Sequence, residues 1–268
     1  MVQRRHFLSF LGLLPLLPSA VQSASRHEPL PMVMPKALVA GHTVGVVCPA
    51  SAATSKDVAP FVTLCSSLGL RVRLGANINN RSGYLAASDQ ARADELMRFV
   101  EDPNIDAIVC ARGGYGVMRI LPSLDFGAIR DARKIVMGFS DITALLVAIE
   151  QQSRLVSFHG PVATSTFDSF TQESFVANVL QPAAKGHHAP KEALLSSAQA
   201  GSLTTITPGV ASGRLTGGNL SMVVSTLGTR YEIDTTHAIL FLEEISEEPY
   251  RIDRMLTQLW LAGKLQAC

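Results

Sequence analysis

The chain has 268 residues, 47% of them hydrophobic and 17% charged, with a formal net charge of +1. That length accommodates one large domain or two small ones around a sizeable core, and the near-neutral charge, with no basic stripe, argues against nucleic-acid binding. Cys48, Cys65, Cys110 and Cys268 are widely spaced and contain no Cys-x-x-Cys pair, which argues against a zinc ribbon or a redox motif.

Taken in order, the chain opens on Arg4-Arg5-His6-Phe7-Leu8, a twin-arginine pattern, and an apolar run through Leu17. Small residues follow at Ser19-Ala20-Val21-Gln22-Ser23-Ala24. Basic start, short apolar run and small-residue exit make a secretory signal, and the paired arginines suggest the Tat route to the bacterial periplasm. The run is too short and too proline-interrupted for a comfortable membrane span. An uncleaved anchor is the other reading. Residues 1–24 are set aside as signal, leaving no membrane span in the mature chain.

The mature part begins with a proline-rich lead-in over residues 29–35. A first strand is expected over residues 43–48, then a helix over residues 57–70 with a glycine C-cap at Gly69. Residues 71–75 alternate as a half-buried strand, residues 77–83 form a loop, and residues 89–101 an amphipathic helix with Ala93, Leu96, Met97 and Val100 on its apolar face. A third strand over residues 106–111 runs into Arg112-Gly113-Gly114-Tyr115-Gly116. Glycines there let a backbone approach a ligand closely and offer free N–H groups. A phosphate cradle would need a Gly-Lys-Ser/Thr or dinucleotide spacing, and neither is present. Cys48 and Cys110 fall in these apolar strands, where a thiol behaves as a small hydrophobe. A disulfide outside the cytoplasm is left open, with no pairing assigned.

After a helix starting at residues 117–121 comes Lys134-Ile135-Val136-Met137-Gly138-Phe139-Ser140-Asp141-Ile142-Thr143. The apolar run reads as a buried parallel strand, and Ile142, Leu145, Leu146 and Ile149 recur at helical spacing. Ser140 therefore sits on a tight strand-to-helix turn, the layout of a nucleophile elbow whose following N–H helps hold an oxyanion. The competing reading is that Ser140 or Asp141 caps the helix. A strand over residues 155–161, with His159, completes an alternating series. Such alternation predicts an α/β fold with a doubly wound, mainly parallel sheet and its site at the strands' C-terminal ends.

Residues 25–185 are assigned to this N-terminal domain, residues 186–212 to a linker, and residues 213–268 to a smaller C-terminal α/β domain. The adjacent His187 and His188 lack carboxylate partners and are not read as a metal site. The second unit holds Leu215-Thr216-Gly217-Gly218-Asn219-Leu220, a helix over residues 221–227, a buried strand over residues 238–242 ending in Glu243-Glu244, and a helix over residues 251–261. Ile252, Met255, Leu256, Leu259 and Trp260 form the apolar face of that helix. Because an unpaired buried charge is costly, Glu243 must face water or partners. It suits the acidic member of a Ser–His–acid triad. A solvated acidic loop of Glu243, Glu244, Glu247 and Glu248, paired with Arg251 and Arg254, explains it equally.

Together, Arg112–Gly116, Gly138-Phe139-Ser140-Asp141-Ile142-Thr143, His159-Gly160-Pro161, Gly217-Gly218-Asn219-Leu220 and Leu242-Glu243-Glu244 with Tyr250-Arg251-Ile252-Asp253 resemble the LD-carboxypeptidases. That family comprises the muramoyltetrapeptide carboxypeptidases and the microcin C self-immunity peptidases. The resemblance implies a metal- and cofactor-free serine peptidase that releases the terminal D-alanine of a murein tetrapeptide, its site between two domains. Ser140 corresponds to the nucleophile, Glu243 to the triad acid, and Gly114 and Asp141 to the oxyanion hole. Arg112, Gly113, Tyr115, His159 and Asn219 correspond to the substrate lining, and a homodimer is a candidate assembly.

One departure bears on activity. The family's catalytic histidine lies well downstream of the acid, whereas His6, His27, His42, His159, His187, His188 and His237 all precede Glu243. The expectation is therefore a chain truncated at its C-terminus, weak or inactive in turnover, with residues 238–242 at an exposed sheet edge. A periplasmic muropeptide-binding protein without catalysis, a self-immunity peptidase on peptidyl-nucleotide substrates, and a flavodoxin-like or dinucleotide-binding protein are the competing functions.

Overall fold

Alternation along short β-branched runs decides the faces of the central sheet. In the computed structural model, which describes residues 31–180 and 204–268, five strands lie in the order β2-β1-β3-β4-β5 and every pair is parallel. They are β1 (Thr43–Val47), β2 (Arg71–Leu74), β3 (Ala107–Cys110), β4 (Ile135–Gly138) and β5 (Phe158–His159). Val44, Val46, Ala107, Val109, Ile135 and Met137 point to one face, and Val47, Ile108, Cys110 and Val136 to the other. The first face is covered by α1 (Ser55–Ser67) and α6 (Ser169–Val179), through Val58, Phe61, Cys65, Phe175 and Val179. The second is covered by α2 (Asp89–Glu101), α3 (Val117–Ile120), α4 (Phe126–Ala132) and α5 (Thr143–Ala148). This is the doubly wound sheet expected from the sequence, and it brings the loops after β1, β3, β4 and β5 to one edge.

Capping chemistry fixes where the helices begin. Thr54 and Asp57 form a reciprocal capping box at α1, and Ser88 caps α2 through the Ala91 N–H. The short α4, capped by Asp125, was not anticipated. It occupies only seven residues, too few to display helical periodicity in the sequence. β5 is also shorter than the expected residues 155–161. Leu155 pairs instead as an isolated bridge with Val33, and Pro161 has no N–H to donate.

A second sheet of two parallel strands, β6 (Arg214–Asn219) and β7 (Ala238–Glu243), pairs in register from Arg214 with Ala238 to Asn219 with Glu243. Gly217, at φ +139°, lets the strands close, since a Cβ there would collide with the Phe241 carbonyl oxygen. Its small core joins Val147 to Leu220 and Val223 of α7 (Leu220–Ser225), to Ile233, and to Leu259 of α8 (Pro249–Leu261). A last turn, α9 (Lys264–Ala267), returns Lys264 to Glu232 and to the Ile233 carbonyl.

Two expectations are corrected in this unit. Only Ala238 of β7 is buried and Ile239 is exposed, which corrects the buried strand and matches the exposed sheet edge also expected, since among the described residues this sheet has two strands. On α8, Leu256 and Trp260 are exposed rather than packed. Cys48, Cys65, Cys110 and Cys268 are all free thiols. The signal, the His187-His188 pair and most of the linker lie outside the described residues. Among the described residues, no helix is long and apolar enough to cross a membrane.

Candidate active site

At the end of β4 the backbone turns sharply. Phe139 is extended at φ −150°, and Ser140 takes φ +62°, the left-handed region that costs a residue with a Cβ about 1–2 kcal/mol. One turn of 3-10 helix, Ser140–Ile142, then leads into α5. Ser140 does not cap this helix, and its hydroxyl makes no hydrogen bond among the described residues. Asp141 turns inward instead. Its buried carboxylate accepts the Val117 N–H at 3.0 Å, holding the start of α3. Burial pushes this carboxyl above the usual range, against the opposing pull of that N–H and of Arg92.

The glycine loop between β3 and α3 lies directly against the elbow. A Cβ on Gly113 would stand 2.9 Å from the Ser140 Cβ and 3.1 Å from its Oγ, so only glycine lets the two backbones approach this closely. Gly114, at φ +112°, packs on Ser51 of the loop after β1, and the Ser51 N–H donates to the Gly113 carbonyl at 3.3 Å. Neither the Gly114 nor the Asp141 N–H has an acceptor among the described residues. The Asp141 N–H belongs to the residue after Ser140, and the Gly114 N–H to the loop whose Gly113 packs on the Ser140 side chain. Arg112 and Tyr115 are exposed, and Tyr115 packs edge-on against Tyr84 with ring centroids 5.4 Å apart.

Two buried charges on α2 hold these loops from below, and periodicity did not reveal them. The Arg92 guanidinium donates to the Pro49 carbonyl and, at 3.0 Å, to the Gly116 carbonyl, and pairs with Asp89 at 2.6 Å. Glu95 accepts the N–H groups of Cys48 at 3.4 Å and Asn77 at 2.8 Å. The Glu95 charge, after burial itself, helps push the Cys48 thiol up to about 12, leaving it an inert part of the core. The only hint in the sequence was a pair of unlike charges at i and i+3 on one helix.

The two carboxylates that end β7 differ in environment. Glu244 accepts from the Ser221 hydroxyl at 2.6 Å, the Ser221 N–H at 3.0 Å, the Ile245 N–H at 2.9 Å and the Asn219 amide at 3.3 Å. It therefore secures the start of α7 and is no part of a solvated loop. The pair expected from that alternative does form further on, between Glu247 and Arg251 at 3.4 Å. Glu243 keeps a buried Oε1 with no hydrogen-bond partner among the described residues. This oxygen lies 3.8 Å from the His159 Nε2, and burial raises the Glu243 carboxyl.

Asn219, expected to line substrate, is buried and occupied structurally. Its side chain caps α7 through the Met222 N–H, and its N–H donates to Thr143 Oγ1 at 3.0 Å. The structure thus brings Ser140, Gly113, Gly114 and Asp141 together at one sheet edge. It separately brings Glu243 to His159 and leaves Arg112 and Tyr115 at the rim. Among the described residues, no cluster of three His, Cys, Asp or Glu side chains is placed to hold a metal ion.

Comparison with known proteins identifies the family. Residues 44–160 match the LD-carboxypeptidase N-terminal domain, and residues 212–268 match the LD-carboxypeptidase C-terminal domain. A probable murein peptide carboxypeptidase of Bacillus subtilis (strain 168) is 42% identical over 234 residues, covering 86% of this chain and 71% of that protein. The crystal structure of a muramoyltetrapeptide carboxypeptidase from Oxalobacter formigenes is 28% identical with a TM-score of 0.71, covering 84% of this chain and 73% of that one. The microcin C7 self-immunity protein MccF, solved with aspartyl sulfamoyl adenosine, superposes with a TM-score of 0.75 over 88% of this chain and 78% of its own. At 22% identity, that last likeness is one of fold.

Proposed function

Since this chain belongs to the LD-carboxypeptidase family, a family of serine-type carboxypeptidase hydrolases, we propose that it releases the terminal D-alanine from murein tetrapeptides. In this reading Ser140 Oγ attacks the carbonyl of the L-configured residue that precedes D-alanine. The N–H groups of Gly114 and Asp141 receive the oxyanion, D-alanine leaves with the proton taken from Ser140, and water hydrolyses the acyl-enzyme. Glu243 is the acid of the triad. The observation that carries the assignment is the position of Ser140: a serine at φ +62° on a strand-to-helix corner, with the glycine loop packed against its hydroxyl.

Among the described residues no imidazole is hydrogen-bonded to Ser140, so the group that takes its proton is not among these contacts. Incubation with a disaccharide tetrapeptide should release D-alanine, and Ser140→Ala should abolish the release. Release that survives Ser140→Ala would overturn the assignment of the nucleophile. Binding of the muropeptide with no release, and no labelling of Ser140 by an active-site serine probe, would favour a binding protein.

The twin-arginine start supports export to the periplasm, where murein peptides lie. Replacing Arg4 and Arg5 together with lysine should leave the protein in the cytoplasmic fraction, and an unchanged distribution would refute this route.

A further inference from the structure

The imidazole of His159 lies between the two halves of the site. Its ring meets Phe139, the residue before Ser140, at a centroid distance of 6.3 Å, and Phe241, two residues before Glu243, at 5.1 Å, both edge-on. Nε2 stands 3.8 Å from Glu243 Oε1, within ion-pair reach and longer than a hydrogen bond. Gly218, at φ +134°, makes the room, because a Cβ there would stand 3.2 Å from His159 Nδ1. One edge of the ring also lines a cavity of about 590 Å³ bounded by Met137, Phe158, Phe175, Thr216 and Phe241.

Packing alone does not account for a histidine here. A phenylalanine would fill the aromatic wedge without the cost of burying ring nitrogens, and His159 Nδ1 is buried with no partner among the described residues. On the other side, Glu243 Oε1 is buried and lacks a hydrogen bond, whereas its neighbour Glu244 is fully engaged by α7. The edge of the ring that faces this oxygen is Nε2, so His159 offers the Glu243 carboxylate a polar neighbour, while Nδ1 stays against Gly218.

We propose that His159 is a positioning residue for Glu243: its Nε2–H holds the carboxylate at the end of β7, and its ring locks that strand against the elbow that carries Ser140. The proposal rests on Glu243 being the acid of the site. His159 itself makes no contact with the reacting atoms and acts through Glu243. The charged group facing the pair is Glu244 on β7, and Glu150, just after α5, lines the same cavity as His159. Glu150 is neutralised by its ion pair with Arg214, and the Asn219 amide reaches Glu243 from β6. Burial holds the His159 imidazole below its usual range, so the neutral ring prevails near neutrality, with Nε2 protonated toward the acid.

The first test does not depend on turnover. His159 is titrated by NMR in chain carrying ¹⁵N-labelled histidine, its signal assigned by loss in His159→Phe, with and without Glu243→Gln. Removing the carboxylate should lower the midpoint of His159 by about one pH unit. An unchanged midpoint would overturn the proposal, since a purely structural wedge does not sense that charge.

The second test follows labelling of Ser140 by an active-site serine probe. His159→Phe, which keeps the wedge and removes the donor, should slow the labelling rate constant about tenfold at unchanged probe affinity. His159→Gln, whose amide reaches the Nε2 position, should restore the rate to within about threefold of the unsubstituted chain. Equal rates in the Phe and Gln variants, with matching melting temperatures, would also overturn it. If the unsubstituted chain takes no label, the reading of Ser140 as nucleophile fails, and the NMR titration alone decides the role of His159.

Discussion

Thr143 Oγ1 accepts the backbone N–H of Asn219 at 3.0 Å, and this bond ties the helix that follows Ser140 to the second sheet. Both residues are buried, so neither group has water as an alternative partner. Asn219 stands opposite Glu243 in the strand pair, so this hydroxyl links the elbow to the strands that carry Glu243. Replacing Thr143 with valine keeps the shape and removes the acceptor. Denaturant unfolding should show a loss of about 1–3 kcal/mol, accompanied by slower labelling of Ser140. A change in stability without any change in labelling would show that the two units are not coupled through this bond.

Gly114 presents a steric question with a designed answer. A Cβ at this position would overlap the Ser51 side chain, standing 2.7 Å from its Cβ, so Gly114→Ala should displace the glycine loop and suppress Ser140 labelling by at least about tenfold. Removing the obstacle with Ser51→Gly in the same chain should recover part of the loss. Recovery should be incomplete, because alanine at φ +112° remains strained. Equal labelling in the single and double variants would mean that Ser51 is not what confines the loop.

Arg92 is the buried post beneath the loops after β1 and β3. Truncating it to alanine strands the Pro49 carbonyl, leaves the Gly116 carbonyl with the Arg119 N–H alone, and frees Asp89 from one partner. A destabilisation of about 3–5 kcal/mol is expected in chemical denaturation. Arg92→Lys should recover little of it, since a single ammonium cannot span two carbonyls and a carboxylate as a planar fork does.

The buried Asp141 carboxyl gives the elbow a pH response whose sign follows from its raised value. Its proton is held more tightly in the folded than in the unfolded chain, so this group favours folding most in acid. That contribution declines as pH rises from the ordinary carboxylate range through the folded value. Asp141→Asn retains an acceptor for the Val117 N–H and removes the charge. Denaturation between pH 4 and pH 7 should therefore show a smaller fall in stability with pH for the variant than for the unsubstituted chain. Identical slopes would locate the pH dependence elsewhere.

The strands of the central sheet, the glycine loop and the elbow were legible because each depends on local sequence: apolar runs, punctuating glycines and a change of period after Ser140. What was hidden is long-range. The helical pattern of residues 89–101 pointed to Ala93 and Leu96, and gave no sign that Arg92 and Glu95 are buried on the same helix to hold backbone groups more than 15 residues away in sequence. Ser51 read as part of a small-residue loop, because its role depends on a loop from another strand. The meeting of His159 with Glu243 joins two sheets across 84 positions of chain, a distance at which periodicity says nothing. The apolar run of β7 suggested a covered strand, since hydrophobicity alone does not count a strand's neighbours.

The left-handed serine at the elbow also carries a cost in folding. Glycine would occupy that corner with less strain, so Ser140 at φ +62° holds its hydroxyl there at the expense of stability. The burden of that corner is the counterpart of the nucleophile proposed for it.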